Sequence, residues 1–337
     1  MVRSLEEALQ KYSRLVDHFL FENISGMPEE LYRASLHLIK AGGKRLRPAL
    51  TLLTARMLGG VEAESRALPL AAAVEVAHTF TLIHDDIIDM DDYRRGVPTV
   101  HKLWGVDWAV LAGDLLHAYA YKFIVNSYRY GLTKAEAHEA MEVLTEAGIK
   151  ISRGQAFDML FEKTWDVTVT DYLTMVYHKT GAMMEASGKF GAIAARASGD
   201  VVELMGQYGA FVGVAFQIRD DYLGVFGDPA KTGKPVYSDL RRAKKTFLVL
   251  YALSVLDADE KKQLMDILTK GYKATEEELR TAAELIKKAG ADVEADRLAR
   301  VYVGRAKEIL MGLSNVVDKQ ARKSLEELAD YAIEREK

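Results

Sequence analysis

The stretch Leu82-Ile83-His84-Asp85-Asp86-Ile87-Ile88-Asp89 sets three aspartates into an apolar run. Carboxylates packed among aliphatic side chains are costly unless a cation neutralises them. On a helix, Asp85 and Asp89 stand at i and i+4, so both leave the same face. A second run of this kind follows far along the chain, Gln217-Ile218-Arg219-Asp220-Asp221-Tyr222-Leu223-Gly224. Two such faces opposed across a bundle would make an acidic cavity for hard divalent cations, most simply Mg²⁺ carrying phosphates. The competing reading makes each pair a solvated helix terminus. Recurrence of the pattern, each time with basic residues nearby, weighs against it.

Outward from these runs the pattern is helical almost throughout, with no sustained alternation that would make a strand. Val167-Thr168-Val169-Thr170 is too short and leads into a helix. Capping-box spacings occur at Ser4…Glu7, Thr133…Glu136 and Thr275…Glu278. Leu173, Val176, Tyr177, Thr180 and Met184 form a helical stripe. The six prolines sit at expected junctions, with Pro48 and Pro69 suited to the first turn of a helix. The clearest loop runs from Gly227 to Lys245. No flexible interdomain linker is evident, so one all-α domain over residues 1–337 is expected.

Basic residues answer the acidic ones. Gly42-Gly43-Lys44-Arg45-Leu46-Arg47-Pro48 places three cations after a glycine pair. Glycine lets the backbone approach a ligand, and arginine offers bidentate contact to phosphate. Alternatively this is an exposed basic turn. Arg94 and Arg95, adjacent on a helix, would face different phosphates; otherwise they pair with Asp91 and Asp92. A buried Lys179 would need an anion, unless it snorkels at the core edge. Lys234, Lys244 and Lys245 belong to the loop after the second acidic run. A ligand with several phosphates accounts for all of these together.

Bulk properties narrow the classes. Of 337 residues, 49% are hydrophobic, enough for a large core, and net charge is −4, which gives no nucleic-acid footprint. Absence of cysteine excludes disulfides, zinc-thiolate sites and thiol nucleophiles. The N-terminus has no apolar signal core and no run reads as a membrane span, so a cytoplasmic protein is expected.

Taken in order, the motifs resemble those of the trans-type polyprenyl diphosphate synthases. They are Gly43 to Pro48, His78, Leu82 to Asp89, Arg94-Arg95-Gly96-Val97-Pro98-Thr99, Ala112-Gly113-Asp114, Gln155 with Asp158, Lys179-Thr180-Gly181, Phe216 to Asp221, and Thr232-Gly233-Lys234. The resemblance covers most of the chain. It implies an all-α isoprenoid-synthase-type bundle around a deep central cavity, in a homodimer or higher homo-oligomer. It implies condensation of isopentenyl diphosphate with an allylic diphosphate (dimethylallyl, geranyl or farnesyl) and release of pyrophosphate. It implies three Mg²⁺ ions, with Asp85, Asp89 and Asp220 as ligands and Asp86 and Asp221 in support. Arg94, Lys179, Thr180, Gln217, Lys234 and Lys244 would bind the allylic substrate; Lys44, Arg47, His78 and Arg95 would bind isopentenyl diphosphate. Thr180 and Gln217 would also steady the cation formed when the allylic C–O bond breaks.

Two departures from the family pattern stand out. Where a third aspartate usually ends the second motif, this chain has Gly224, and water or Asp228 would have to compensate. The first motif lacks a two-residue insertion, as in archaeal or eukaryotic relatives. Chain length in the family is set upstream of the first motif. A single aromatic at Phe80, with Thr81 and Ala77 beside it, resembles archaeal enzymes making geranylgeranyl diphosphate. Farnesyl diphosphate is the alternative product, alone or as a co-product, and Phe80 as an ordinary core aromatic the alternative role. A different class, an HD-type metal-dependent phosphohydrolase using His78 and His84-Asp85, would leave Asp220, Asp221 and the lysines unexplained. A non-catalytic partner subunit would tolerate loss of Lys44, Asp85 or Lys179, and all are present.

Overall fold

The computed structural model describes residues 4–228 and 237–334. Among these the regular structure is helical, as the periodicity predicts, apart from one hairpin of two-residue strands. The helices are α1 (Leu5–Asn23), α2 (Glu29–Lys40), α3 (Leu46–Asp89), α4 (Val100–Trp104), α5 (Val106–Val125), α6 (Lys134–Phe161), α7 (Val169–Val176), α8 (Ala182–Ala194) and α9 (Gly199–Phe226). They continue as α10 (Ser238–Arg241), α11 (Phe247–Val255), α12 (Ala258–Thr269), α13 (Glu276–Lys288), α14 (Ala291–Gly312) and α15 (Lys319–Glu334).

The chain divides into two compact units. One comprises Met1–Glu146, Met183–Gly209 and Ile309–Glu327; the other comprises Ala147–Ala182, Ala210–Glu308 and Leu328–Lys337. In the first, α3 is the spine, with α1 and α5 packed along it and α2 and α4 against α5. Its long buried run, from Leu70 through Ala71, Ala72, Ala73 and Val74 to Ala77, explains the position, because a helix apolar on nearly every side belongs inside. In the second, α13 packs on α11 and α12, and α11 also meets α7.

Two helices, Leu46–Asp89 and Gly199–Phe226, are long and apolar enough to cross a membrane, contrary to the expectation that no run would be. Their apolar windows are 67% and 61% buried within the protein, so that apolarity fills core.

Helix ends follow the expected chemistry. Thr133 with Glu136 and Thr275 with Glu278 form reciprocal caps, and Ser4 accepts from Glu7 N. Thr168 with Asp171 forms a further capping box, which turns the short Thr/Val segment into the start of α7. Pro48 lies in the first turn of α3 as expected, but Pro69 sits inside that helix, beyond a break at Gly60 where φ is 70°. The stripe through Leu173 and Met184 is interrupted by a π-helical turn, Tyr177–Gly181. Val176 and Met184 of the stripe are buried, while Leu173, Tyr177 and Thr180 are only partly covered; Tyr172, Met175, Gly181 and Ala182 are buried as well. Arg94 and Arg95 are not helical: Tyr93–Arg94 pairs antiparallel with Val97–Pro98, and Arg95 takes a left-handed φ of 55° at the turn.

Candidate active site

The basic triplet after Gly43 separates into three environments. Lys44 is exposed. Arg45 is core: its side chain is fully buried, donating to Asp17 (2.8 Å), Glu75 (2.7 Å) and the Ile39 carbonyl (2.7 Å). Arg47 differs. Among the described residues its Nε is buried with no hydrogen-bond partner, and burial, with Arg95 adding to it, pulls its pKa down to about 10 despite Glu75. Arg95 donates to the Leu38 carbonyl (2.8 Å) and lies 4.0 Å from Glu75; burial pulls its pKa down as well. Between them His78 is pushed well below its usual range, first by burial and then by Arg47, Arg95, Arg94 and Arg45. Gly43 makes the crowding possible: a Cβ there would stand 3.0 Å from the Arg95 guanidinium carbon and 3.1 Å from Arg45. Besides burial, Arg95 depresses Arg47, and Arg45 and Arg94 depress Arg95, around a neutral imidazole; Glu75 offsets this only in part. That arrangement suits a polyanion.

The first acidic run closes α3. Asp86 is buried, one oxygen taken by Arg94 Nε and the other, Oδ2, without a partner among the described residues. Burial is the main cause that pushes its carboxyl up to about 6. Arg94 also lies 3.5 Å from Asp91 and 3.9 Å from Asp85, so it folds back onto its own motif, while Asp92 pairs with Lys102 (2.7 Å). Upstream, Ala77 is buried, Thr81 donates to the His78 carbonyl (2.8 Å), and the half-buried Phe80 ring meets His84 and His117 edge-on at 5.0 and 4.8 Å. His84 itself is 3.2 Å from the Val110 carbonyl.

In the second unit the expected residues form two hydrogen-bonded groups. Lys179, on the π turn, and Lys244 both donate to Asp158 Oδ2, at 2.7 and 2.8 Å. Thr180 donates to Gln217 (2.9 Å), and Gln217 donates to Asp221 (2.8 Å). Tyr172 donates to the other Asp221 oxygen (2.6 Å). Burial, with Asp239 next in effect, pushes the Asp221 carboxyl up to about 7 in spite of those two donors. Asp220 is half-buried beside it. Lys245, read as a loop cation, is buried over the Trp165 ring at 4.0 Å. Lys234 lies outside the described residues. Sequence reasoning gave no role to Asp158, Tyr172 or Asp239. Asp158 carried a motif signal; Tyr172 and Asp239 carried none.

Carboxylate oxygens are suitable donors for Mg²⁺, and the unpartnered Asp86 oxygen and the raised acids are what a cation would relieve. Among the described residues no three His, Asp or Glu side chains gather around one point. Mg²⁺ commonly takes one or two carboxylates and completes its shell with water and phosphate oxygens, so the residues fit the ion in that mode.

The polyprenyl synthetase family model matches residues 28–286. Geranylfarnesyl diphosphate synthase of Aeropyrum pernix is 55% identical over 96% of this chain and all of its own length. The crystal structure of geranylgeranyl pyrophosphate synthetase from Pyrococcus horikoshii superimposes with a TM-score of 0.89 at 37% identity, covering 98% and 99% of the two chains. Polyprenyl synthase from Caulobacter crescentus, complexed with calcium and isoprenyl diphosphate, gives 0.87 at 30% identity over 100% and 99%.

Proposed function

The chain belongs to the polyprenyl synthetase family and is a prenyltransferase, and from that premise we propose that it condenses isopentenyl diphosphate with allylic diphosphates to make geranylgeranyl diphosphate. The carrying observation is the pair of buried guanidiniums, Arg47 and Arg95, only partly offset by Glu75 and set around neutral His78, which fits the isopentenyl diphosphate together with exposed Lys44. Lys179 and Lys244 converge on Asp158, and Lys244 also lies 3.8 Å from Glu162; these two lysines would bind the allylic diphosphate, with Arg94 and Lys234 assisting. Family membership removes the HD-type phosphohydrolase reading, and His84, committed to the Val110 carbonyl, gives it no support.

Asp85 and Asp89 would hold Mg²⁺ from the first motif and Asp220 from the second, with Asp86 and Asp221 supporting and three ions in all. Bound Mg²⁺ supplies Lewis-acid stabilisation of the departing pyrophosphate. Lys179 and Lys244 stabilise the same developing charge electrostatically. The hydroxyl of Thr180, held by Gln217, presents an oxygen dipole to the allylic cation without offering a nucleophile that would trap it. Separate phosphate sites for the two substrates would supply orientation. The final proton is accepted by pyrophosphate. We place the enzyme in the cytoplasm as a homodimer; half-exposed Val106, Val110, Leu111 and Val125 along α5 favour self-association.

Phe80, Thr81 and Ala77 are proposed to limit chain length. The Aeropyrum relative favours a second reading, geranylfarnesyl diphosphate, one isoprene unit longer. A coupled pyrophosphate-release assay tests the reaction class. Release should require both diphosphates and Mg²⁺ together. Release from the allylic diphosphate alone, at the full rate, would indicate a hydrolase.

A further inference from the structure

The second acidic run ends at Gly224, and the space above that glycine is filled. A Cβ at 224 would stand 3.1 Å from Cγ of Asp239 and closer still to its Oδ2. The Asp239 carboxylate, carried by the short helix α10, therefore lies directly against the helix that carries Asp220 and Asp221. It is close enough to act on both neighbours: it opposes ionisation of Asp221 and of the Tyr172 phenol bonded to Asp221. Asp228, expected along with water as a possible substitute for the missing aspartate, is exposed.

Three features fit together. Gly224 leaves a notch on the last turn of α9, where a side chain would project from the same side as Asp220 and Asp221, three or four residues before it. Asp239 fills that notch with a carboxylate from a different element. The main-chain N–H of Lys244 donates to the Asp239 carbonyl (3.1 Å), so the backbone that positions this acid also positions a lysine of the Asp158 network. Any side chain at 224 would displace the Asp239 carboxylate.

We propose that Asp239 is a positioning residue which supplies, through space, the third carboxylate of the second acidic cluster, with Gly224 small so that it can. This rests on the prenyltransferase reading above. The role is to set the negative charge beside Asp220 and Asp221 and so raise the cluster's affinity for a divalent cation bound with pyrophosphate. Asp239 need not touch the reacting atoms.

The test uses the full chain and a readout other than turnover: the Mg²⁺ concentration that half-saturates the thermal shift produced by inorganic pyrophosphate. Asp239→Asn keeps the shape and removes the charge, and it should raise that concentration at least tenfold while the melting temperature without ligand stays within a few degrees. Gly224→Ala keeps the charge and displaces it, and it should raise the requirement several-fold. Gly224→Asp with Asp239→Gly returns the carboxylate to the helix itself and should bring the requirement back to within about threefold of the unsubstituted protein. An unchanged Mg²⁺ requirement in Asp239→Asn overturns the proposal. So does a double variant no better than Asp239→Asn while its ligand-free melting temperature is kept. If Asp239→Asn fails to fold, the Gly224→Ala result decides alone, in the same direction. Absence of any Mg²⁺-pyrophosphate shift in the unsubstituted protein is a different failure: it sinks the prenyltransferase site, and with it this inference.

Discussion

Replacing Arg47 by methionine keeps the length of the side chain and removes its charge. Two effects of opposite sign follow. In the ligand-free protein the guanidinium is held at a cost: burial and Arg95 lower its pKa from the usual guanidinium range to about 10, so the charged form is less favourable folded than unfolded. At about 1.4 kcal/mol per unit this opposes folding by up to ~3.5 kcal/mol, an upper bound because solvent reaches part of the side chain. Arginine stays charged at neutral pH in both states, so the cost is borne there in full. Arg47→Met should therefore melt no lower than the unsubstituted protein, and up to several degrees higher, at roughly 2–4 °C per kcal/mol for a chain of this size. With substrate, the same change removes charge-assisted phosphate contacts of about 1.5–3 kcal/mol. That corresponds to a roughly ten- to hundred-and-fifty-fold rise in KM for isopentenyl diphosphate, with the allylic KM little changed. Steady-state kinetics with each substrate varied in turn, alongside thermal melting, measures both effects. A fall of several degrees with both KM values unaltered would refute the reasoning and make Arg47 a structural cation like Arg45.

Other outcomes follow from the same geometry. Asp158→Asn should leave Lys179 and Lys244 facing each other and chiefly impair use of the allylic substrate. Burial opposes ionisation of Asp158, but the two lysines outweigh it and hold the carboxyl below its usual range. Its stabilisation is thus complete above about pH 4, the unfolded carboxylate value, and is lost as pH falls through the lower folded value. Denaturant melts should show a constant gap between Asp158→Asn and the unsubstituted protein from pH 7 to about 5, closing only in stronger acid; a gap already closed at pH 6 would contradict this. Asp85→Ala should lower kcat far more than it raises KM, because its charge matters most as pyrophosphate departs; a near-normal kcat would count against a role in the reaction. Phe80→Ala should lengthen the product at intact condensation rate if the ring walls the cavity. As plain core filler its loss would cost about 3–5 kcal/mol and leave product length unchanged.

The acidic runs were legible because aspartates in an apolar helical stretch violate the composition rule for a core. Helix ends were legible at Thr133 and Thr275 because a capping box is a local pattern. What escaped was decided at long range. Arg45 and Arg47 are indistinguishable in sequence; Asp17 and Glu75 make one of them core. The helical placement of Arg94 failed because Arg95 and Gly96 both adopt positive φ and form a turn. The π turn at Tyr177–Gly181 adds a residue that no fixed period anticipates, and it carries Lys179 and Thr180. The partner of Gly224 lies on a separate helix fifteen residues further along the chain, so no local pattern connects it to Asp239.

The most direct test of the central claim is product chromatography after incubating the protein with labelled isopentenyl diphosphate, farnesyl diphosphate and Mg²⁺. Geranylgeranyl diphosphate should be the main labelled product, with none formed when Mg²⁺ is chelated. A main product one isoprene unit longer would contradict the assigned chain length and leave the chemistry standing. Recovery of both substrates unelongated would contradict the account itself.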